Sequence, residues 1–330
     1  MRAMKKKINN ELKEIGVFSR TFLKWFCVSL LIGIAGGFIG SLFYSGVMWA
    51  SQLNAANTWL VWLLPIGGLV IAAIYRFTGT EGENTNNIID SILLGEDIKF
   101  DLLPVILIST IFTHLFGGSA GREGAALQIG GSLGCNVGKL LKLDEKEQRI
   151  AVLTGMSAVF SALFGTPIAA TIFALEVCSV GIIHYSGLVP CGISALAAYL
   201  VTRLFGISPT RFIIGALPTE AMLIAKVLVL SVACAVLSII FCEIMHFTSK
   251  QAEKLMPNPF LRIFAGGVII LVLTLLVGNS DYNGGGIGII VNAIEKGSAK
   301  PFAFLMKILF TAVTLACGYK GGEIVPTFFI

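Results

Sequence analysis

Charge is what this sequence has least of. Charged side chains make up 13% of its 330 residues, against about 25% in an ordinary soluble domain. With 55% hydrophobic residues and a mean hydropathy of +0.86, the main solvent of the chain is lipid rather than water. Histidine is scarce as well, limited to His114, His184 and His246. The seven cysteines (Cys27, Cys135, Cys178, Cys191, Cys234, Cys242 and Cys317) are scattered through apolar stretches with no CxxC pair. That pattern argues against a metal centre and leaves them as small buried residues; no cofactor is expected. The net charge of +5 is not a nucleic-acid signal, because much of it precedes the first apolar run, at Arg2, Lys5, Lys6, Lys7, Lys13, Arg20 and Lys24. Basic residues so placed put the N-terminus in the cytoplasm of a multi-pass protein of the plasma membrane. The run that follows is too long for a secretory signal and lacks a clear cleavage site.

Long apolar runs and glycine are abundant instead. The 37 glycines suit close helix packing in a bilayer, and a span needs about 20 apolar residues to cross about 30 Å of hydrocarbon. Residues 1–20 read as an amphipathic cytoplasmic segment on the membrane surface, and 21–50 and 57–77 as spans. Residues 78–100 read as a loop and a short helix that does not cross. Another helix covers 101–117, and GGSAGREGAALQIGGSLG then opens a new one after a glycine-rich break. Apolar segments at 148–164 and 166–181 are separated by Gly165-Thr166-Pro167, and 182–206 is interrupted near Pro190. The second half has runs at 218–250, 260–278 and 301–317, then GYKGGEIVPTFFI. Trp25, Trp49, Trp59 and Trp62 fall near the ends of the first two spans, where tryptophan anchors the interface.

This order predicts an all-α polytopic membrane protein with an internal repeat, 21–206 and 217–330. Gly118, Gly121 and Glu123 recur as Gly318, Gly321 and Glu323 at one constant offset. Paired broken segments in two halves point to a transporter's binding site. The chemistry agrees: a helix that starts after an unwound glycine-rich stretch offers N–H groups without intrahelical partners and the positive end of its dipole, a ready anion site. Unwound backbone at membrane depth is tolerated only inside protein or along a cavity. A charge there is costly and usually functional, which singles out Arg122 and Glu123. An ionised Glu123 carboxylate can take the anion's place, and a protonated one can swing away, making it both gate and proton carrier. The bland alternative puts Arg122 and Glu123 in an interfacial loop. A further reading is an intramembrane serine hydrolase, because Gly117-Gly118-Ser119-Ala120-Gly121 fits GxSxG; it would need one of the three histidines as base.

The segments GSAGREGAALQIGGSLG, SALFGTPIAATIFALE and GGEIVP resemble the signature segments of the chloride channel and transporter (CLC) family, from about residue 21 to the end. The resemblance implies an antiparallel inverted repeat with broken and re-entrant helices, usually a homodimer with one pore per subunit. It implies transport of a halide, chloride or fluoride, by proton-coupled exchange or gated conduction. Glu123 matches the gating glutamate. Gly121, Arg122 and Gly124 at one helix start, and Gly322, Ile324 and Val325 at the other, match the backbone that holds the anion.

Three departures qualify the match. The family's Gly-Ser-Gly-Ile-Pro is replaced by Gly82-Glu83-Asn84-Thr85, leaving Asn84 or Thr85 for the serine's place. The internal glutamate of many exchangers falls on Val177, with Glu176 just before it. Glu323 stands where chloride-type members have an apolar residue, as in the fluoride/proton exchangers; there it would donate a hydrogen bond to fluoride and take part in gating or proton transfer, or else simply cap its helix. The second repeat also reads as incomplete, since the family core continues beyond Ile330, so a truncated remnant or scaffold that transports nothing is the alternative.

Overall fold

The computed structural model describes residues 2–94, 98–178, 181, 184–209, 212 and 221–330; for residues 2–14, 86, 91, 93 and 94 it describes the backbone alone. The expected start of the second repeat, near residue 217, lies outside the described residues, and so do the side chains of Lys5, Lys6, Lys7 and Lys13. Every regular element among the described residues is helical. In order they are α1 (Arg2–Ala56), a 3-10 turn (Thr58–Leu63), α2 (Leu64–Phe77), α3 (Thr85–Leu94), α4 (Leu102–Leu115), α5 (Glu123–Leu140), α6 (Glu145–Phe164), α7 (Pro167–Glu176), a 3-10 turn (Tyr185–Gly187), α8 (Leu188–Leu204), α9 (Ala221–Leu255), α10 (Pro259–Val277), α11 (Ile287–Lys296), α12 (Ala303–Ala316) and α13 (Ile324–Phe329).

Among the described residues, five helical segments are long and apolar enough to cross a membrane: Ile15–Ala56, Thr58–Phe77, Tyr185–Leu204, Ala221–Leu255 and Pro259–Val277. Three shorter apolar helices, α4, α7 and α12, are too short to span alone at about 1.5 Å per residue. Two of them, α4 and α12, run directly into the glycine-rich breaks. Two local expectations change. α1 runs without interruption from Arg2 to Ala56, so the backbone of residues 2–20 continues as helix into the first apolar run. Pro190 opens a helix rather than breaking one: it lies in the first turn of α8, where its missing N–H has no helical partner to lose.

Packing gathers the chain into two units. The first comprises residues 1–41, 86–100 and 129–209. Here small residues let backbones touch. Gly33 and Gly37 of α1 lie against Ser194, Ala197 and Ala198 of α8, and Gly36 and Gly40 lie against Ala158 and Ala162 of α6. Hydroxyls bridge α6 and α8: Ser161 Oγ donates to Ala195 C=O (2.7 Å), Ser194 Oγ to Thr154 C=O (2.9 Å) and Ser157 Oγ to Cys191 C=O (3.1 Å). The start of α6 is fixed by a capping box in which Glu147 N–H donates to the Asp144 carboxylate and Asp144 N–H to that of Glu147. Where α5 meets α6, a Cβ on Gly155 would strike the Gly130 carbonyl and come within 2.8 Å of Gly134 N. Gly155→Ala is therefore expected to cost about 1–3 kcal/mol, read as a lower melting temperature in detergent; an unchanged melt would show slack between these helices.

The second unit comprises residues 42–85, 101–128 and 210–330. Its core joins α2, α4, α10 and α12 through Leu64, Ile71, Tyr75, Val105, Ile263, Ile270, Phe310 and Tyr319. Gly68 and Gly267 make room for Tyr319, whose hydroxyl donates to Leu64 C=O (2.8 Å). α9 packs on α12 through Phe241 and Met245, but only 6% of its apolar window is buried. That surface needs lipid or another chain to cover it. Of the four tryptophans, Trp49, Trp59 and Trp62 are exposed and Trp25 is buried.

Candidate anion-binding site

α4 stops at Gly117, whose φ of 80° is open to glycine and strained for other residues. Gly118 N–H reaches back to Thr113 C=O (2.8 Å), closing the last turn. α12 stops the same way: Gly318 has φ 108°, and Tyr319 N–H donates to Thr314 C=O (3.3 Å). Each chain then crosses a short unwound stretch and begins a new helix, at Glu123 and at Ile324.

The two stretches run antiparallel and pair. Gly121 N–H donates to Gly322 C=O (2.6 Å) and Gly322 N–H to Gly121 C=O (2.8 Å), forming an isolated β-bridge. Flanking it are reciprocal bonds: Ser119 N–H donates to Thr314 Oγ1 (3.1 Å) and Lys320 N–H to Thr113 Oγ1 (3.2 Å). The breaks are thus copies in which Gly117 answers to Gly318, Ser119 to Lys320, Gly121 to Gly322 and Glu123 to Ile324. The sequence match of Gly118, Gly121 and Glu123 with Gly318, Gly321 and Glu323 is one residue out of this register. The structural partner of Glu323 is Arg122.

Glu123 is completely buried. Its Oε2 accepts from Arg122 N–H (3.0 Å), next to the start of α5, and from Val325 N–H (3.2 Å), in the first turn of α13. One carboxylate oxygen therefore lies across both helix starts. Its other oxygen, Oε1, is buried with no hydrogen-bond partner. The positive ends of two helices and two peptide donors compensate a charge that burial would otherwise heavily penalise.

The other expected residues divide. Gly121 and Gly322 commit their N–H groups to each other, so they frame the site rather than donate to a ligand. Gly124 is there for close approach: a Cβ on it would lie 3.3 Å from Gly321 O, Gly322 Cα and Thr85 Oγ1. Thr85 is brought to the site, its hydroxyl accepting from Gln128 Nε2 (3.0 Å). Asn84 is not; it is exposed, with its amide donating to Gly82 C=O (3.4 Å). The Arg122 guanidinium lies over the Tyr44 ring, 4.8 Å from its centroid. Ile324 and Val325 supply the first turn of α13. Glu323 precedes that turn with an exposed side chain and no cap bond; its C=O accepts from Thr327 N–H (2.9 Å) and Thr327 Oγ1 (2.7 Å). In the other unit, Glu176 ends α7 exposed and Val177 is half-buried.

Sequence reasoning missed Lys307. It is fully buried on α12, and its ammonium donates to Ser119 Oγ (3.0 Å), Tyr282 C=O (3.1 Å) and Gly284 C=O (2.6 Å). All three donors go to neutral acceptors. Lys307 thereby ties the first break to the loop before α11, which Gly284 N–H to Gly118 C=O (3.1 Å) and Asn283 Nδ2 to Gly117 C=O (2.7 Å) also hold. The available signal was a lone lysine inside an apolar run. The same contacts argue against the hydrolase. Ser119 Oγ meets Lys307 and Thr311 Oγ1 (3.0 Å), while His114 Nδ1 faces Thr110 C=O (2.9 Å), so His114, the histidine nearest in sequence, is not paired with Ser119. No group of three or more potential metal ligands occurs among the described residues.

Comparison with known proteins places this geometry. A curated relative in Pseudomonas syringae pv. tomato (strain ATCC BAA-871 / DC3000), a "Chloride/fluoride channel protein", is 33% identical over 316 residues, 93% of this chain and 70% of that one. Among solved structures, a CLC-type fluoride/proton antiporter superposes with a TM-score of 0.87 at 28% identity, covering 92% of this chain and 78% of the other. A slow cyanobacterial Cl-/H+ antiporter shares the fold, with a TM-score of 0.75 at 22% identity over 92% of this chain and 76% of its own. The family profile described as "Voltage gated chloride channel" matches residues 67–330. The two paired helix starts lie within that match, and the chain belongs to this chloride channel and transporter family.

Proposed function

We propose that the chain carries a halide anion across a membrane in exchange for protons, with Glu123 as gate and proton acceptor. The observation that supports this is the buried Glu123 carboxylate, whose Oε2 accepts from Arg122 N–H and Val325 N–H at two facing helix starts. An oxygen bearing negative charge there is a stand-in for a halide; once protonated, it can leave those donors to the ion. The relatives support the substrate class: one is named for chloride and fluoride, and one solved structure for fluoride and protons. In the working protein, Arg122, Gly124, Ile324 and Val325 line the ion's seat, Gly121 and Gly322 brace it, and Thr85 borders it. The protein acts as a homodimer in the plasma membrane with its N-terminus in the cytoplasm, and the expected repeats, 21–206 and 217–330, carry one helix start each.

Purified protein in liposomes, loaded in turn with fluoride and with chloride, tests the reading: halide efflux should drive proton uptake. Absence of efflux of either ion would overturn it. Glu323 provides a contrast. Its side chain is exposed and makes no cap bond, so Glu323→Gln is expected to change halide flux by about twofold or less, as an unpartnered surface substitution shifts free energies by about 0.5 kcal/mol. A large loss of fluoride flux in that variant would restore a direct role for this carboxyl group.

A further inference from the structure

The end of α4 has the wrong sign for an anion. A helix leaves its last carbonyls without intrahelical partners, and together they carry about half a negative charge. Only the first break separates that end from the start of α5, which attracts an anion, so the two helix ends work against each other. The protein answers carbonyl by carbonyl. Asn54 Nδ2 donates to Leu115 C=O (2.9 Å), Asn283 Nδ2 to Gly117 C=O (2.7 Å) and Gly284 N–H to Gly118 C=O (3.1 Å). Both asparagines are buried. The Lys307 ammonium stands beside these donors. It bonds Ser119 Oγ (3.0 Å), of the residue after Gly118, and Gly284 C=O (2.6 Å), of the residue whose N–H holds Gly118. Among the described residues, Glu123 and Lys307 are the charged side chains closed off from solvent, each 0% exposed. None of the three bonds of Lys307 goes to a carboxylate. Its positive charge is left to act on the dipoles around it, and the end of α4 is one residue away through Ser119.

We propose that Lys307, Asn54 and Asn283 neutralise the negative end of α4 and thereby set how tightly the seat at Glu123 holds its ion. The proposal rests on the halide reading above and adds to it the residues that set affinity. All three are positioning residues: they act through the peptide groups that end α4 and leave the ion to the helix starts. Two amides occupy carbonyls that would otherwise face the break, and a buried cation offsets what remains of the dipole. A lysine suits the place because its three N–H donors can all be satisfied by neutral oxygens while its charge persists. Loss of the cation should weaken the hold on fluoride and on chloride by one common factor, because the field of a dipole acts on charge and not on ion size.

The test is halide flux in liposomes as a function of fluoride and, separately, of chloride concentration. Lys307→Met is expected to raise the half-saturating concentration of both ions by the same factor, about fivefold, with the maximal rate within about threefold. Lys307→Arg keeps the charge and should stay within about twofold of wild type. Asn283→Asp keeps the shape of the side chain but sets a negative charge against Gly117 C=O; it should raise half-saturation about tenfold. Asn54→Asp does the same at Leu115 C=O, so the asparagine variants carry the test if Lys307→Met does not fold. Wild-type half-saturation in the folded variants would refute the proposal while halide transport stands. So would a loss confined to the maximal rate, or unequal factors for the two ions, either of which marks a distorted site rather than an altered field. If the wild-type protein moves no halide, this proposal falls together with the reading it rests on.

Discussion

Glu123→Gln is expected to abolish proton movement while halide still crosses. The amide matches the carboxylate in shape, and its oxygen can still accept from Arg122 N–H and Val325 N–H, where Oε2 now sits at 3.0 and 3.2 Å. It carries no charge and binds no proton near neutral pH, so it competes weakly with a halide and shuttles nothing. Measured with a halide electrode and a pH electrode on the same liposomes, flux should stay within about tenfold of wild type, a change of about 1.4 kcal/mol in barrier. Halide-driven proton uptake should vanish. Retention of the wild-type proton-to-halide ratio would show that another group carries the proton.

Gly322→Ala should stop transport altogether. A Cβ added there would lie 2.6 Å from Gly124 N and 2.9 Å from Glu123 N, and 3.2 Å from Glu123 Oε2. A methyl group would then stand over the first donors of α5, where the ion has to come. Flux is expected to fall by more than about 100-fold, since about 2.7 kcal/mol of lost stabilisation at the seat is enough for that. Strain from the crowded backbone should lower stability by about 1–3 kcal/mol. Gly285→Ala is the control: its Cβ would meet nothing nearer than Ile287 and Val325 side-chain atoms at 3.7 Å, and flux should be close to normal. Normal flux in Gly322→Ala would move the ion's seat away from the bridge.

Much of this arrangement was legible in the residues. Apolar runs interrupted by glycine located the broken helices, because unwound backbone has few places to be inside a bilayer. A glutamate after such a break stood out because burying it is costly. The register was not legible. Gly318, Gly321 and Glu323 match Gly118, Gly121 and Glu123 by letter, but pairing is set by hydrogen bonds, and the glycine with φ 108° that ends α12 answers to Gly117. Glycine-rich stretches tolerate a one-residue slip in an alignment; a two-bond bridge does not. Side-chain direction was also hidden. Nothing in the letters tells that Arg122 stacks on Tyr44 or that Glu323 is exposed, since both depend on which face of a break meets the core. Lys307 was readable as a charge in an apolar run, but its three acceptors come from segments distant in sequence.

The bridge between Gly121 and Gly322 is made wholly of peptide groups, and peptide groups are the same whatever side chains neighbour them. The two bonds of the joint therefore ask for no particular side chain at either residue, while the Thr113 and Thr314 hydroxyls brace it from outside. A side chain at the edge of the site, such as Thr85 beside Gly124, can then change without disturbing the frame that holds Glu123.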